Sequence, residues 1–192
     1  MKDKKVYGIG TNDVLPFCDY DDITKKAYTQ WTNMLERCYC EPFLKRKPAY
    51  RGCSVCDEWL TFSNFLKWHK DNYVKDWQLD KDILVKGNKV YSAKNCCFVP
   101  KEINKLITKA NAIRGKLPIG VRLNKRINNY EAYISKNNRF ISLGCFKNYI
   151  DAFNAYKIEK ENYIKEKANK YKGIIDDKVY NVLINYEVEI TD

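Results

Sequence analysis

The sequence predicts an α+β fold in two parts, and three patterns predict it. Apolar residues recur at three- and four-residue steps from Ile23 to Cys38, as one buried stripe of a helix requires. Residues 79–104, LDKDILVKGNKVYSAKNCCFVPKEIN, read as strand, loop, strand and helix. Three short alternating segments, punctuated by Asn-Asn pairs, then lead into a long stretch of helical periodicity; that order is an antiparallel sheet packed on one helix.

Taken in order, Asp21 or Asp22 is placed to cap a helix running to about Cys38, with Ile23, Ala27, Trp31, Met34, Leu35 and Cys38 on its buried side. A loop holding Pro42, Pro48 and Gly52 follows. A second short helix is expected from Ser63 to about Asp71, with Phe62, Phe65, Leu66 and Trp68 as core contacts. The sole histidine, His69, falls on this helix and reads as a surface residue. Leu79–Val85 alternates as a strand that sets Asp80 and Asp82 on one face. Gly87-Asn88 signals a turn, and Cys96–Val99 is a short β-prone run. Pro100 suits the first turn of a helix whose apolar side is Ile103, Leu106, Ile107 and Ala110. RGKLP (114–118) reads as a linker. Beyond it, strands are expected at Ile119–Leu123, Tyr130–Ser135 and Arg139–Leu143, with turns at Asn128-Asn129 and Asn137-Asn138. A helix from Tyr149 to about Ala168 follows; Gly173 breaks it, and Asp176 or Asp177 caps a last short helix.

Composition narrows the function. Aromatic residues make up 14% of the 192 residues and hydrophobic residues 45%, enough for a packed core. No apolar run approaches the roughly 18–20 residues a spanning helix needs, so no membrane association is expected. The charged start MKDKKVYGIG lacks the pattern of a secretory signal, and the cytoplasm is the expected compartment. The net charge of +11 is unevenly spread. Residues 101–147 hold 11 Lys and Arg against Glu102 and Glu131, which is +9 of the total. A positive block of that density points to a polyanion, double-stranded DNA being the first candidate. The eight cysteines include Cys38-x-Cys40 and Cys53-x-x-Cys56, which together could hold a structural zinc ion; alternatively Cys53 and Cys56 could join Cys96 and Cys97. Buried free thiols are the commoner arrangement in a reducing compartment.

A three-stranded sheet backed by one helix has one packed face and one free face. On the free face the sequence offers Arg122, Asn124, Lys125, Arg126, Tyr133, Lys136 and Arg139, with Arg114 in the preceding linker. Cations interleaved with an aromatic suit a β-ribbon laid on DNA, arginine meeting guanine and lysine or tyrosine holding phosphates. The pairs Gly120-Val121, Tyr130-Glu131-Ala132, Leu143-Gly144-x-Phe146 and Ala152-Phe153-x-Ala155-Tyr156 resemble the Apetala-type DNA-binding domain of ethylene-response factors. The resemblance covers about 50 residues. It implies that the sheet touches DNA, that Gly144 serves a tight turn, and that Phe146 and Ala155 pack helix on sheet.

Phosphodiester hydrolysis needs a hard divalent ion and a group that orients or deprotonates water. Asp80 at the end of a strand and Asn104 on the following helix are the residues placed to hold such an ion, with Asn95 bracing the loop between. Residues 79–104, with YRGCSVCDEWLTFSNFLKW (50–68) before them, resemble the H-N-H (ββα-metal) endonucleases of phage and homing type. The resemblance implies a Mg²⁺ or Mn²⁺ cofactor bound by Asp80 and Asn104, DNA as substrate and a phage-encoded origin. Lys81 stands where the family has its general-base histidine. A lysine between two aspartates is held in its charged form and has no lone pair to take a proton. Three readings stay open: water activated by metal with Asp82 assisting, Lys81 stabilising the transition-state phosphate, or a fold retained for binding alone. The expected organisation is a nuclease-like part at 1–112, an Apetala-type domain at 119–170 and a C-terminal helix and tail at 171–192.

Overall fold

The computed structural model describes residues 5–14, 16–108 and 117–192. The chain is mixed α+β and divides into two compact units, Met1–Lys101 and Glu102–Asp192. The division precedes the RGKLP segment, of which residues 114–116 lie outside the described residues. No helix among the described residues is long and apolar enough to cross a membrane.

The first unit is organised by α1 (Asp22–Tyr39). Asp21 caps it, its carboxylate accepting the Thr24 amide hydrogen at 2.7 Å and satisfying one of the helix's unpaired first-turn donors. The buried side carries Thr24, Ala27, Trp31, Met34, Leu35 and Cys38; Ile23, expected on it, is exposed, and Thr24 takes its place. Trp31 is fully buried, and its indole N–H donates to the Trp59 carbonyl at 2.7 Å, so the ring enters the core without an unsatisfied donor. Burial of a side chain of that size contributes about 3 kcal/mol. After the short α2 (Glu41–Arg46) and β1 (Ser54–Val55), α3 (Phe62–Asn72) packs on α1 through Phe62 and Phe65. Asp13 supplies the cap that Thr61 does not, accepting from the Ser63 backbone and hydroxyl at 2.9 and 2.6 Å.

His69 does not lie on the surface. It is fully buried, stacked on Tyr73 at 4.8 Å with Phe65 and Phe98 around it. It continues the Phe62–Phe65 stripe by one more turn, which is why α3 buries it.

Two small sheets finish the unit. Strand β2 (Trp77–Asp80) pairs antiparallel with β4 (Cys97–Pro100), Asp80 facing Cys97. Strand β3 (Val90–Tyr91) pairs parallel with β1. The first strand therefore ends at Asp80 rather than reaching Val85. Pro100 closes β4, and α4 (Lys101–Ile107) opens one residue later; Ala110, expected on its apolar side, lies outside the described residues.

In the second unit β5 (Val121–Asn124), β6 (Asn129–Lys136) and β7 (Arg139–Phe146) form a three-stranded antiparallel sheet in the order β5-β6-β7. Asn137 and Asn138 both have positive φ, the backbone that a two-residue hairpin turn of right-twisting strands demands. Val121, Ala132 and Ile134 are buried on the side of α5 (Tyr149–Lys170), against Ala152, Phe153 and Tyr156. Asn148 caps α5 by accepting the Asp151 amide hydrogen at 2.8 Å. The last helix, α6 (Asp177–Ile184), packs on α5 through Val179 and Leu183, so residues 171–192 complete this unit's core instead of trailing from it. Glu102 ties the start of the unit to the end of α5: its carboxylate accepts from Lys167, Lys170 and the Tyr171 hydroxyl, bonds that pull its pKa down to about 2.

Candidate functional site

Between β2 and β4 the chain is held by the short pairing of β3 with β1 and by a network of side-chain bonds. Asp80 turns its carboxylate back on its own chain: Oδ1 accepts the amide hydrogens of Asp82 and Ile83 at 2.7 and 2.8 Å. Those two bonds end β2, because they spend the amides that a longer strand would need. Burial raises the Asp80 pKa above the ordinary aspartate value; the two amide bonds and Lys81 oppose the shift, and Asp82 adds to it.

Lys81 turns inward. It is 7% exposed, its ammonium is bonded to the Asp82 carboxylate, it donates to the Asn88 carbonyl at 3.1 Å, and it sits 5.7 Å above the Tyr91 ring. A buried ammonium paired in this way is a donor already in use, and it offers nothing that could take a proton from water. Asp82 itself is exposed and outside any strand, so Asp80 and Asp82 do not share a strand face.

Asn95 donates to the Asn88 side-chain oxygen at 3.1 Å and the Val90 carbonyl at 3.4 Å. The centre of the network is a residue read from sequence only as part of a turn. Asn88 donates to the carbonyls of Lys81 and Val90, both at 2.8 Å, and accepts from Asn95. Its position after Gly87 signals the turn, but nothing in the spacing signals these bonds, or the Val90 amide hydrogen its oxygen also accepts at 3.2 Å. Asn104 lies on α4 within the second unit, its carbonyl accepting the Thr108 hydroxyl at 2.8 Å.

Among the described residues no three or more His, Cys, Asp or Glu side chains gather to hold a metal ion. Cys38 and Cys96 are buried thiols whose pKa desolvation pushes up to about 12, the protonated form that packs rather than ligates.

On the sheet's face away from α5, Arg122 forks onto Glu131, Nε to Oε2 at 3.1 Å and Nη2 to Oε1 at 3.2 Å, while the Ser142 hydroxyl donates to the same carboxylate at 3.0 Å. The Arg122 guanidinium also lies 5.2 Å from the Tyr133 ring centroid. Tyr133 in turn stacks with Phe140, centroids 5.5 Å apart and planes 26° from parallel. Phe140, absent from the sequence-derived site, is 73% exposed.

The predicted cations separate into two groups. Lys125 and Arg126 occupy the exposed β5–β6 turn, and Arg139 opens β7 at the other end of β6, directly opposite Lys136 and so on the same side of the sheet. Lys136 does not belong to the free face. Its ammonium is bonded to Glu159 of α5 and lies 4.9 Å from the Tyr163 ring, on the side that packs. Arg114 lies outside the described residues. Gly144 sits within β7 beside the irregularity between Ala132 and Tyr133, not in a turn. No protein-family model, curated protein or solved structure matches the chain.

Proposed function

We propose that the chain is a DNA-binding protein whose contact surface is the free face and turns of the β5-β6-β7 sheet. The observation that carries the reading is the layout of that face and its turns: planar groups at the centre of the face, with Lys125 and Arg126 beyond one end of β6 and Arg139 at the other. Eight residues of strand span ~25 Å, which lets the two turns meet well-separated phosphates of one backbone. Arg122 is committed to Glu131, so affinity rests on the turn cations more than on a direct arginine reading of bases. Replacing Arg126 and Arg139 together with Ala is expected to weaken duplex binding in fluorescence anisotropy. It should also flatten the plot of log affinity against log salt by roughly 0.9 for each phosphate no longer neutralised. An unchanged slope removes this surface from the interface.

A second reading, metal-dependent strand cleavage, is favoured by one observation: Asp80 closes a strand paired antiparallel to β4, beside a loop that Asn95 braces. In that reading Asp80 would hold Mg²⁺ or Mn²⁺, and the ion would supply charge neutralisation at the phosphate and a more acidic bound water. Binding alone agrees better with the inward, paired Lys81. The chain is accordingly expected to leave supercoiled plasmid intact with either ion. Nicking that disappears in Asp80→Asn, which keeps the oxygen accepting the Asp82 and Ile83 amides, would instead establish the endonuclease reading.

A further inference from the structure

The polar groups at the centre of the free sheet face are satisfied among themselves. Arg122 spends its fork on Glu131, and Glu131 takes a further bond from Ser142. What the face offers outward is a run of planar surfaces, guanidinium to Tyr133 to Phe140, ending in a ring that is 73% exposed. A duplex presents base edges in its grooves and keeps its base faces stacked inside, so this run has no matching surface there. Unpaired bases do present their faces, and aromatic rings set among cations are the chemistry that holds them without sequence preference.

On the reading that this sheet binds DNA, we infer that Phe140, backed by its stack on Tyr133, is a stacking platform for unpaired bases, making single-stranded DNA, or the single-stranded part of a junction, the preferred ligand of this face. Arg122 holds Tyr133 from its far side, and Glu131 fixes Arg122, so the platform is ordered before any base arrives.

The experiment is fluorescence anisotropy of the full chain with a labelled oligothymidine of about 12 nucleotides and with a blunt duplex of the same length, within the site sizes such surfaces cover. Phe140→Ala is expected to weaken oligothymidine binding by roughly tenfold and duplex binding by less than about twofold. Phe140→Trp should keep or tighten the single-strand affinity. Because the ring is largely exposed, Phe140→Ala forfeits chiefly its stack on Tyr133, about 0.5–1.5 kcal/mol, and a thermal melt of each variant checks that it is folded. Equal loss on both ligands, or no loss on either, overturns the platform. Duplex binding that depends on Arg126 and Arg139, with no oligothymidine binding, overturns this inference alone. Failure to bind either DNA overturns the DNA-binding reading with it.

Discussion

The first unit is expected to lose roughly 2–3 kcal/mol of stability between about pH 7 and about pH 4.5, and His69 is the cause. The imidazole is fully buried among Phe65, Tyr73 and Phe98, and neither ring nitrogen has a hydrogen-bond partner among the described residues. Burial lowers its pKa from the ordinary 6.5 to about 4, since a charged ring would have to give up its hydration. In the unfolded chain the ring protonates near 6.5. Between those two values the unfolded state binds the extra proton, so stability is fully present above 6.5 and falls away as the pH drops toward 4. All four tryptophans, Trp31, Trp59, Trp68 and Trp77, lie in this unit, so urea unfolding followed by tryptophan fluorescence reads it selectively. His69→Leu, close in volume and never charged, is expected to flatten the midpoint across this window. A wild-type midpoint that stays level down to about pH 4.5 would show that the ring is not held neutral by the core.

What the sequence disclosed depended on whether a feature had a period. α1 was legible because a capping aspartate stands directly before a three-and-four apolar stripe, and the hairpins were legible because Asn-Asn pairs interrupt alternating residues. The chain between β2 and β4 was not. Beyond the short pairing of β3 with β1, its shape comes from Asp80, Asn88 and Asn95 bonding to backbone and to each other, and such bonds leave no repeat to read. Two misplacements were avoidable on the same physics. Tyr133 and Lys136 are an odd number of residues apart on one strand, so a regular pleat puts them on opposite faces, and Lys136 goes to α5. His69 follows Phe62 and Phe65 at helical spacing, which places it on the buried stripe whatever its polarity. The site itself was legible in part. The bonds Asn95 makes are seen only in the fold, and the Tyr133–Phe140 stack was missed because Phe140 looks like an isolated surface ring until β6 and β7 pair and set it against Tyr133.

Gly120→Ala is expected to destabilise the second unit by about 2–5 kcal/mol and, on the proposed reading, to abolish DNA binding with it. Two effects add. Gly120 has φ +75°, a backbone that costs an alanine about 1–2 kcal/mol. A methyl group there would also fall 2.0 Å from Cδ2 of Tyr156, whose ring is buried against the sheet and cannot swing away without opening the core. The carbonyl of Gly120 accepts the Tyr133 amide hydrogen at 2.8 Å, so a shift that relieves the clash also loosens the strand carrying Tyr133. Gly173 separates the two effects. It has nearly the same φ, +74°, in the segment between α5 and α6, but a methyl group there meets nothing within 4 Å. Gly173→Ala should therefore show the backbone cost alone, about 1–2 kcal/mol, with DNA binding retained. Thermal melts by circular dichroism, with anisotropy on the same samples, compare the pair. If the two variants melt alike, contact with Tyr156 contributes nothing, and the tight seating of the β5 entry on α5 is not what holds the sheet in place.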